Sequence, residues 1–242
     1  MKPSLAQTTQ ARFTFNISDV DGIFPGFKSG DFAVLYGPQS ISSLTSLLCA
    51  RAQLPPQLGG LESNVVFIDC ANSSSLSSIQ LQQLDAKDPL ERVLNMRVYT
   101  AYRLTSLIME KLQDAVENQG AKLVVISDIA GPFLNNNVDD QEAKTVYSQI
   151  MSYLANFAKK HHIIIIATYL SHENSRRNSI LQDITTAKAN TVLRFTKTPY
   201  TKEVELEKHP SYMLGVVDLT SENPALTDFM CTTNAGQNYL LM

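Results

Sequence analysis

A chain of 242 residues, 44% of them hydrophobic, can bury one sizeable core, and the simplest reading is a polar tail over 1–11 followed by a single domain over 12–242. The 20 Lys and Arg against 23 Asp and Glu leave a net charge of −3, which excludes coating nucleic acid through a global positive field, so any DNA contact must be local or shared with a partner. Cys49, Cys70 and Cys231 are too far apart for a metal knuckle, the start lacks an apolar signal region, and no run reaches the ~18 apolar residues of a membrane helix; the expectation is an intracellular, soluble protein with no metal and no membrane partner.

In chain order, compact Val/Ile/Phe runs alternate with helical stretches. Strands are expected at 32–36, 64–69, 96–99, 122–127 and 162–168, in runs without strict alternation that suit burial on both faces. Helices are expected at 43–53, about 75–85, 104–118 and 141–160. The third carries Leu104, Leu107, Ile108, Leu112 and Ala115 as one stripe, with Gly120 where a C-terminal cap belongs. The fourth begins beside Asp139 and Asp140 and ends in Lys159 and Lys160, charges that match the helix dipole. Its last residues, His161 and His162, read as helix-end groups rather than a metal pair, because sequence neighbours do not share a helix face. Strands near 191–195, 202–207 and 213–219 form a strand-rich C-terminal extension. The fold class is therefore α/β, a doubly wound, mainly parallel sheet with helices on both faces, whose ligands sit beyond the strand C-termini.

The stretch "FAVLYGPQSISSLTSLLCARAQ" (32–53) has the outline of a phosphate-binding loop. A strand runs into Gly37, and a helix begins near Ser42. Together with "NISDVDGIFPGFKSGDFAVLYG" (16–37), "VVFIDCANSS" (65–74), "LVVISDIAGPF" (123–133), "IIIIATYLS" (163–171) and "LEKHPSYMLGVVDL" (206–219), in that order, the chain resembles the core of the RecA/RadA/KaiC superfamily over about residues 12–220. The resemblance implies a RecA-like fold. It also implies positions for an ATPase, and each can be checked.

In a phosphate loop, glycines admit backbone N–H groups to the phosphates, a Lys neutralises the β and γ oxygens, and a Ser or Thr hydroxyl holds magnesium. Here Ser42 stands for the second Gly, Ser43 for the Lys and Leu44 for the hydroxyl, and the nearest downstream cation is Arg51, about two turns on. A charge-assisted hydrogen bond contributes roughly 1.5–3 kcal/mol, so losing a Lys that makes two removes several kcal/mol of phosphate binding. By the same resemblance Ala71 occupies the place of the Glu that positions water, Ser127 that of the magnesium-linked Asp, and Leu170 that of a polar sensor. Asp128 is one residue off register and reads as a turn acid. The expectation is a pseudo-ATPase with no catalytic residue and no cofactor.

The superfamily carries DNA on two loops. The first candidate, 131–141, has no cation. The second, 171–190, lacks apolar periodicity and holds His172, Arg176, Arg177 and Lys188, the candidates for contact with single-stranded DNA, although Glu173 and Asp183 dilute the charge and a solvated or partner-facing surface is the plainer reading. Lys208 and His209 resemble the segment that reaches a neighbouring subunit, with the end of a surface hairpin as the plainer reading, and Tyr99 and Tyr102 read as core and rim packing. The favoured reading is a recombinase paralogue, an accessory subunit in homologous recombination and repair that joins another paralogue or the recombinase filament, in the nucleus if the organism has one. The alternative is a KaiC-like regulator sensing a small anion or nucleotide in the altered loop. An unfamiliar enzyme using Ser43 or Asp69 has less support, since no base lies near the serine in sequence and no Gly-x-Ser-x-Gly elbow is present.

Overall fold

The computed structural model describes residues 12–71, 91–134, 138–198 and 200–219. The helix expected near 75–85 lies outside the described residues, as do the 1–11 tail and Cys231. In chain order the elements are α1 (Ser18–Ile23), β1 (Phe32–Gly37), α2 (Ser42–Arg51), β2 (Val65–Asp69), β3 (Val93–Arg97), α3 (Ala101–Ser106), α4 (Leu112–Gln119), β4 (Leu123–Ser127), α5 (Gly131–Leu134), α6 (Asp140–His161), β5 (Ile164–Leu170), α7 (Arg176–Lys188), β6 (Thr191–Lys197), β7 (Lys202–Lys208) and β8 (Gly215–Asp218). A π turn, Leu107–Lys111, joins α3 to α4.

The strands make one sheet in the order β3-β2-β4-β5-β1-β6-β7-β8. The first six pair in parallel, while β7 and β8 return antiparallel and form the C-terminal extension. Alternate residues of each central strand feed two separate cores, which is why the apolar runs show no alternation. Val34, Val66, Ile126 and Ile165 pack with α3, α4, α6 and α7. Leu35, Phe67, Val125 and Ile166 pack on the other face with α2 and the N-terminal segment.

That N-terminal segment is an aromatic clasp. Phe13 bridges to Phe27 with N···O distances of 3.0 and 2.8 Å, and the Phe24 and Phe27 rings meet edge-on at 4.8 Å. Gly26 makes it possible: its φ is +109°, and a Cβ there would lie 2.5 Å from the Phe13 carbonyl oxygen. Arg51, the cation nearest the phosphate-loop position, belongs to this clasp. It is buried, and its guanidinium donates to the carbonyls of Thr14 (2.9 Å) and Leu58 (2.7 Å).

Two differences from the sequence reading stand out. The third strand begins at Val93 rather than 96, because Val93 itself is buried beside Val65. The 171–190 segment is mostly not a loop: Arg176–Lys188 is helical, with Ser175 as its N-cap accepting from the Asn178 N–H. Its buried stripe is Asn178, Leu181 and Thr185, so the spacing is helical while two of the three residues are polar. Those polar atoms are satisfied from neighbouring elements. Tyr169 on β5 donates to Asn178, and the Tyr147 hydroxyl on α6 lies 2.7 Å from Thr185 Oγ1.

Candidate functional site

The C-terminal ends of β1, β2, β4 and β5 converge where a doubly wound sheet places its ligands. At the end of β1, Gly37 passes so close to β6 that a Cβ would fall 2.3 Å from the Phe195 carbonyl oxygen. Its own carbonyl accepts from Ser171 N at 2.8 Å, so the turn starts from a fixed point.

Beyond it the chain does not open into a cradle. After Pro38 it enters a tight 3-10 turn, Gln39–Ile41, and runs directly into α2, with Ile41 and Ser42 both in helical conformation. The Ile41 N–H donates to the Pro38 carbonyl at 3.0 Å and the Ser42 N–H to the Gln39 carbonyl. These two amides are thus spent within the chain. Ser43 Oγ donates to the Ser40 carbonyl at 2.9 Å, Thr45 Oγ1 donates to the Ser42 carbonyl at 2.6 Å, and Leu44 is buried in the α2-side core.

The acid positions are equally enclosed. Ser127 is fully buried at the end of β4, and its hydroxyl finds no hydrogen-bond partner among the described residues. Ala71 is half-buried against the α2-side core. Asp69, at the end of β2, is buried with Arg97 Nε 4.0 Å from its carboxylate. Asp128 follows β4 in a left-handed turn, with φ +50°. Its Oδ1 accepts from Leu170 N at 3.3 Å and lies 2.8 Å from His172 Nε2, while its own N–H donates to Thr168 Oγ1 at 2.8 Å. Asp128 thus knits β4 to β5, as a turn acid does. Among the described residues no group of three His, Cys, Asp or Glu side chains is arranged to hold a metal ion.

Of the four DNA candidates, His172, Arg176 and Arg177 line one cavity together with Asp140 and Glu173, and Lys188 lies apart from it. His172 is engaged by Asp128, whereas Arg176 is exposed at the start of α7. Arg177 turns back to α6, where Nε donates to Asp140 Oδ1 at 2.6 Å and the terminal nitrogens donate to the Phe133 and Val138 carbonyls. Lys188 sits in the last turn of α7, roughly 18 Å along the axis from Arg176, where a cation matches the helix dipole.

Lys208 and His209 are likewise occupied within the chain. The register shift opposite Val192 and Leu193 sets Lys208 across from Val192, whose side chain belongs to the core on the α7 side, and Lys208 Nζ donates to the Thr186 and Ala187 carbonyls at 2.9 Å each, closing the C-terminal end of α7. Burial lowers its pKa. His209 Nδ1 accepts from Ser211 N and Tyr212 N at 3.0 Å, and its ring stacks on Tyr212 at 4.2 Å; burial pushes the imidazole pKa down. Tyr99 and Tyr102 are more exposed than core packing requires, 49% and 60%, and Tyr102 donates to Glu142.

Sequence reasoning missed a polar triad beside Gly37. The Tyr36 hydroxyl donates to Glu207 Oε1 at 2.8 Å and accepts from Arg194 Nε at 2.5 Å, and Arg194 pairs with Glu207 at 2.8 Å. Burial and the Glu207 carboxylate raise the Tyr36 pKa to about 12. The three residues come from three strands, so no sequence spacing announces them.

The model of the Rad51 family matches residues 12–191. The chain belongs to the Rad51 family. That membership places it, at the level of the family, among the proteins of DNA recombination and repair, and the mostly parallel eight-stranded sheet is the RecA-like α/β fold. The match ends at β6, so the likeness of 206–219 lies beyond the matched residues. A search of curated proteins finds no match. No helix among the described residues is long and apolar enough to cross a membrane.

Proposed function

We propose that this Rad51-family chain is a non-catalytic accessory subunit. It acts in homologous recombination and repair by assembling with another recombinase paralogue or with the recombinase filament, in the nucleus where the cell has one. The observation that carries this reading is the β1–α2 turn. The Ile41 and Ser42 amides are taken up by a 3-10 turn, and the three positions that the resemblance assigns to phosphate chemistry hold Ser42, Ser43 and buried Leu44. A nucleotide would have to unwind that turn and would find no cation there. Ala71 and Ser127, where the resemblance calls for acids, add no carboxylate for water or magnesium.

Assembly then supplies what the chain lacks. A subunit with no nucleotide of its own can still cap a neighbour's site, and single-stranded DNA contact through Arg176 and Lys188 is then shared with that neighbour.

The experiment is calorimetric titration of the full chain with ATP and magnesium, alongside sedimentation with family recombinases and a strand-exchange assay. The reading expects no ATP affinity tighter than about 1 mM, with complex formation and altered strand exchange. Installing the missing cation alone, Ser43→Lys, leaves ATP binding absent, because the turn remains closed. Micromolar ATP binding by the native chain, or a monomer with no effect on strand exchange, overturns the reading.

A further inference from the structure

The connection from β7 to β8, residues 209–214, is closed by one imidazole. Pro210 has no N–H to donate, so the first two amides of the connection are those of Ser211 and Tyr212, and both donate to His209 Nδ1 at 3.0 Å. An imidazole nitrogen that accepts is unprotonated, which puts the ring proton on Nε2. The same ring stacks on Tyr212 at 4.2 Å and meets Phe24 of the N-terminal clasp edge-on at 5.8 Å. Tyr212 in turn packs against the core that contains the clasp. His209 thus orders the connection and ties it to a segment from the other end of the chain.

The charges around the ring disfavour an imidazolium. Arg12 and Lys28, both from the clasp segment, lie over the Tyr212 ring, 5.0 and 5.8 Å from its centroid. Asp31, just before β1, is the carboxylate that opposes them, and it is already engaged. Its Oδ1 accepts from the Asn190 amide at 2.8 Å and its Oδ2 from Lys28 N at 2.6 Å. Tyr212 brings a phenol, Phe24 brings no titratable group, and Lys208, the residue before, turns its ammonium to the Thr186 and Ala187 carbonyls of α7. Burial above all, and then Lys28 and Arg12, hold the imidazole pKa below its ordinary 6.5 against the pull of Asp31. The ring is therefore neutral at neutral pH and gains its proton in acidic solution.

Protonation makes Nδ1 a donor, and a donor cannot serve two backbone N–H groups that point at it. Either the ring turns away or the two amides part from it, and both movements break the contacts that order the connection. We propose that His209 is a pH-sensitive latch: the neutral imidazole holds the 209–214 connection to the N-terminal clasp, and the imidazolium lets it go. The part released carries Met213 and Leu214, 91% and 60% exposed, while Lys208 stays tied to α7 and β8 stays paired with β7. Below pH 6.5 the unfolded chain binds a proton that the folded chain resists, so the latch contributes at neutral pH and its contribution is lost as pH falls. The inference goes beyond the accessory-subunit reading and does not depend on it.

The test follows the full chain by NMR from about pH 7.5 to about pH 5, reading the His209 ring protons together with the exchange protection of the Ser211 and Tyr212 amides. Both amides are protected at the upper end. Corrected for the intrinsic pH dependence of exchange, their protection falls about fivefold or more as the imidazole titrates. His209→Asn offers the same two amides a side-chain oxygen that gains no proton in this range, so protection stays level. His209→Leu removes the acceptor and leaves both amides unprotected throughout. A ring that titrates while both amides keep their protection overturns the proposal. So does an absence of protection near the upper end, a ring still neutral at about pH 5, or a pH response that His209→Asn retains. Where the variants fold poorly, the ring and amide titrations of the native chain decide by themselves. The accessory reading fails by other signs, tight magnesium-dependent ATP binding or lack of assembly, so the two failures are distinguishable.

Discussion

The turn from β1 into α2 and the turn from β5 into α7 leave the same edge of the sheet, yet they end their helices differently. At α2 no side chain caps the N-terminus, and the chain satisfies its first amides by tightening into a 3-10 turn. At α7, Ser175 caps Asn178, and Asn178 is itself locked by Tyr169 and by its own bond to the Glu173 carbonyl. A helix start without a polar cap can satisfy its orphan amides through 3-10 bonds to its own backbone, while a capped one hands an amide to a side chain. The closed junction is the one that the resemblance likens to a phosphate loop, and the open one borders a cavity of about 380 Å3.

The largest expected effect tests how fixed the closed junction is. Gly37→Ala puts a Cβ 2.3 Å from the Phe195 carbonyl oxygen at a φ of +155°, and the neighbour is backbone that cannot swing aside. Denaturant unfolding should show a loss of about 3 kcal/mol or more. A variant as stable as the parent would mean that β1 and β6 can part at this point.

Next comes the wall of the open junction. Arg177→Ala leaves the Phe133 and Val138 carbonyls without their donor and removes the partner of Asp140, in a side chain only 14% exposed. The expected loss is about 2 kcal/mol, since half-buried carbonyls are then left unsatisfied, and amide exchange should quicken at the start of α6 and α7. A change confined to DNA affinity, with stability intact, would instead make Arg177 a contact residue.

A smaller effect is expected at the far end of α7. Lys208→Met keeps most of the apolar stem but removes the two bonds to the Thr186 and Ala187 carbonyls, for a loss of about 1 kcal/mol. If the same variant abolished partner binding without touching stability, the residue would belong to an interface and not to the helix end.

The smallest effect is a pH dependence. Tyr36 is neutral in the folded chain up to about pH 12, against an ordinary value of 10.0. Between those values the unfolded chain has released a proton that the folded chain still holds, so stability falls as pH rises through this window. Below pH 10 the contribution is fully present. Tyr36→Phe should flatten that alkaline decline in thermal melts, and an unchanged slope would show that the hydroxyl is not the responsible group.

Much of the sheet was legible because its strands are buried on both faces, which writes long Val and Ile runs into the sequence. The helix α6 was legible for a related reason: its apolar stripe and its end charges, Asp139 at the start and Lys159 and Lys160 at the end, are local signals. The helix α7 was not, because Asn178 and Thr185 on its buried stripe have hydroxyl partners from β5 and α6, and a polar residue satisfied from elsewhere looks like a loop when read alone. The tight 3-10 turn between β1 and α2 was not legible, since it depends on which amides find carbonyls.

The amino-acid sequence by itself determined the doubly wound sheet and the family, because both are fixed by residue type and local order. Tertiary structure alone decided that Lys208 caps α7, that Arg177 braces α6, and that Tyr36, Arg194 and Glu207 meet beside a cavity. These contacts join strands and helices far apart in the chain, and their partners are chosen by the sheet order and by one register shift in β7, neither of which leaves a mark in residue spacing.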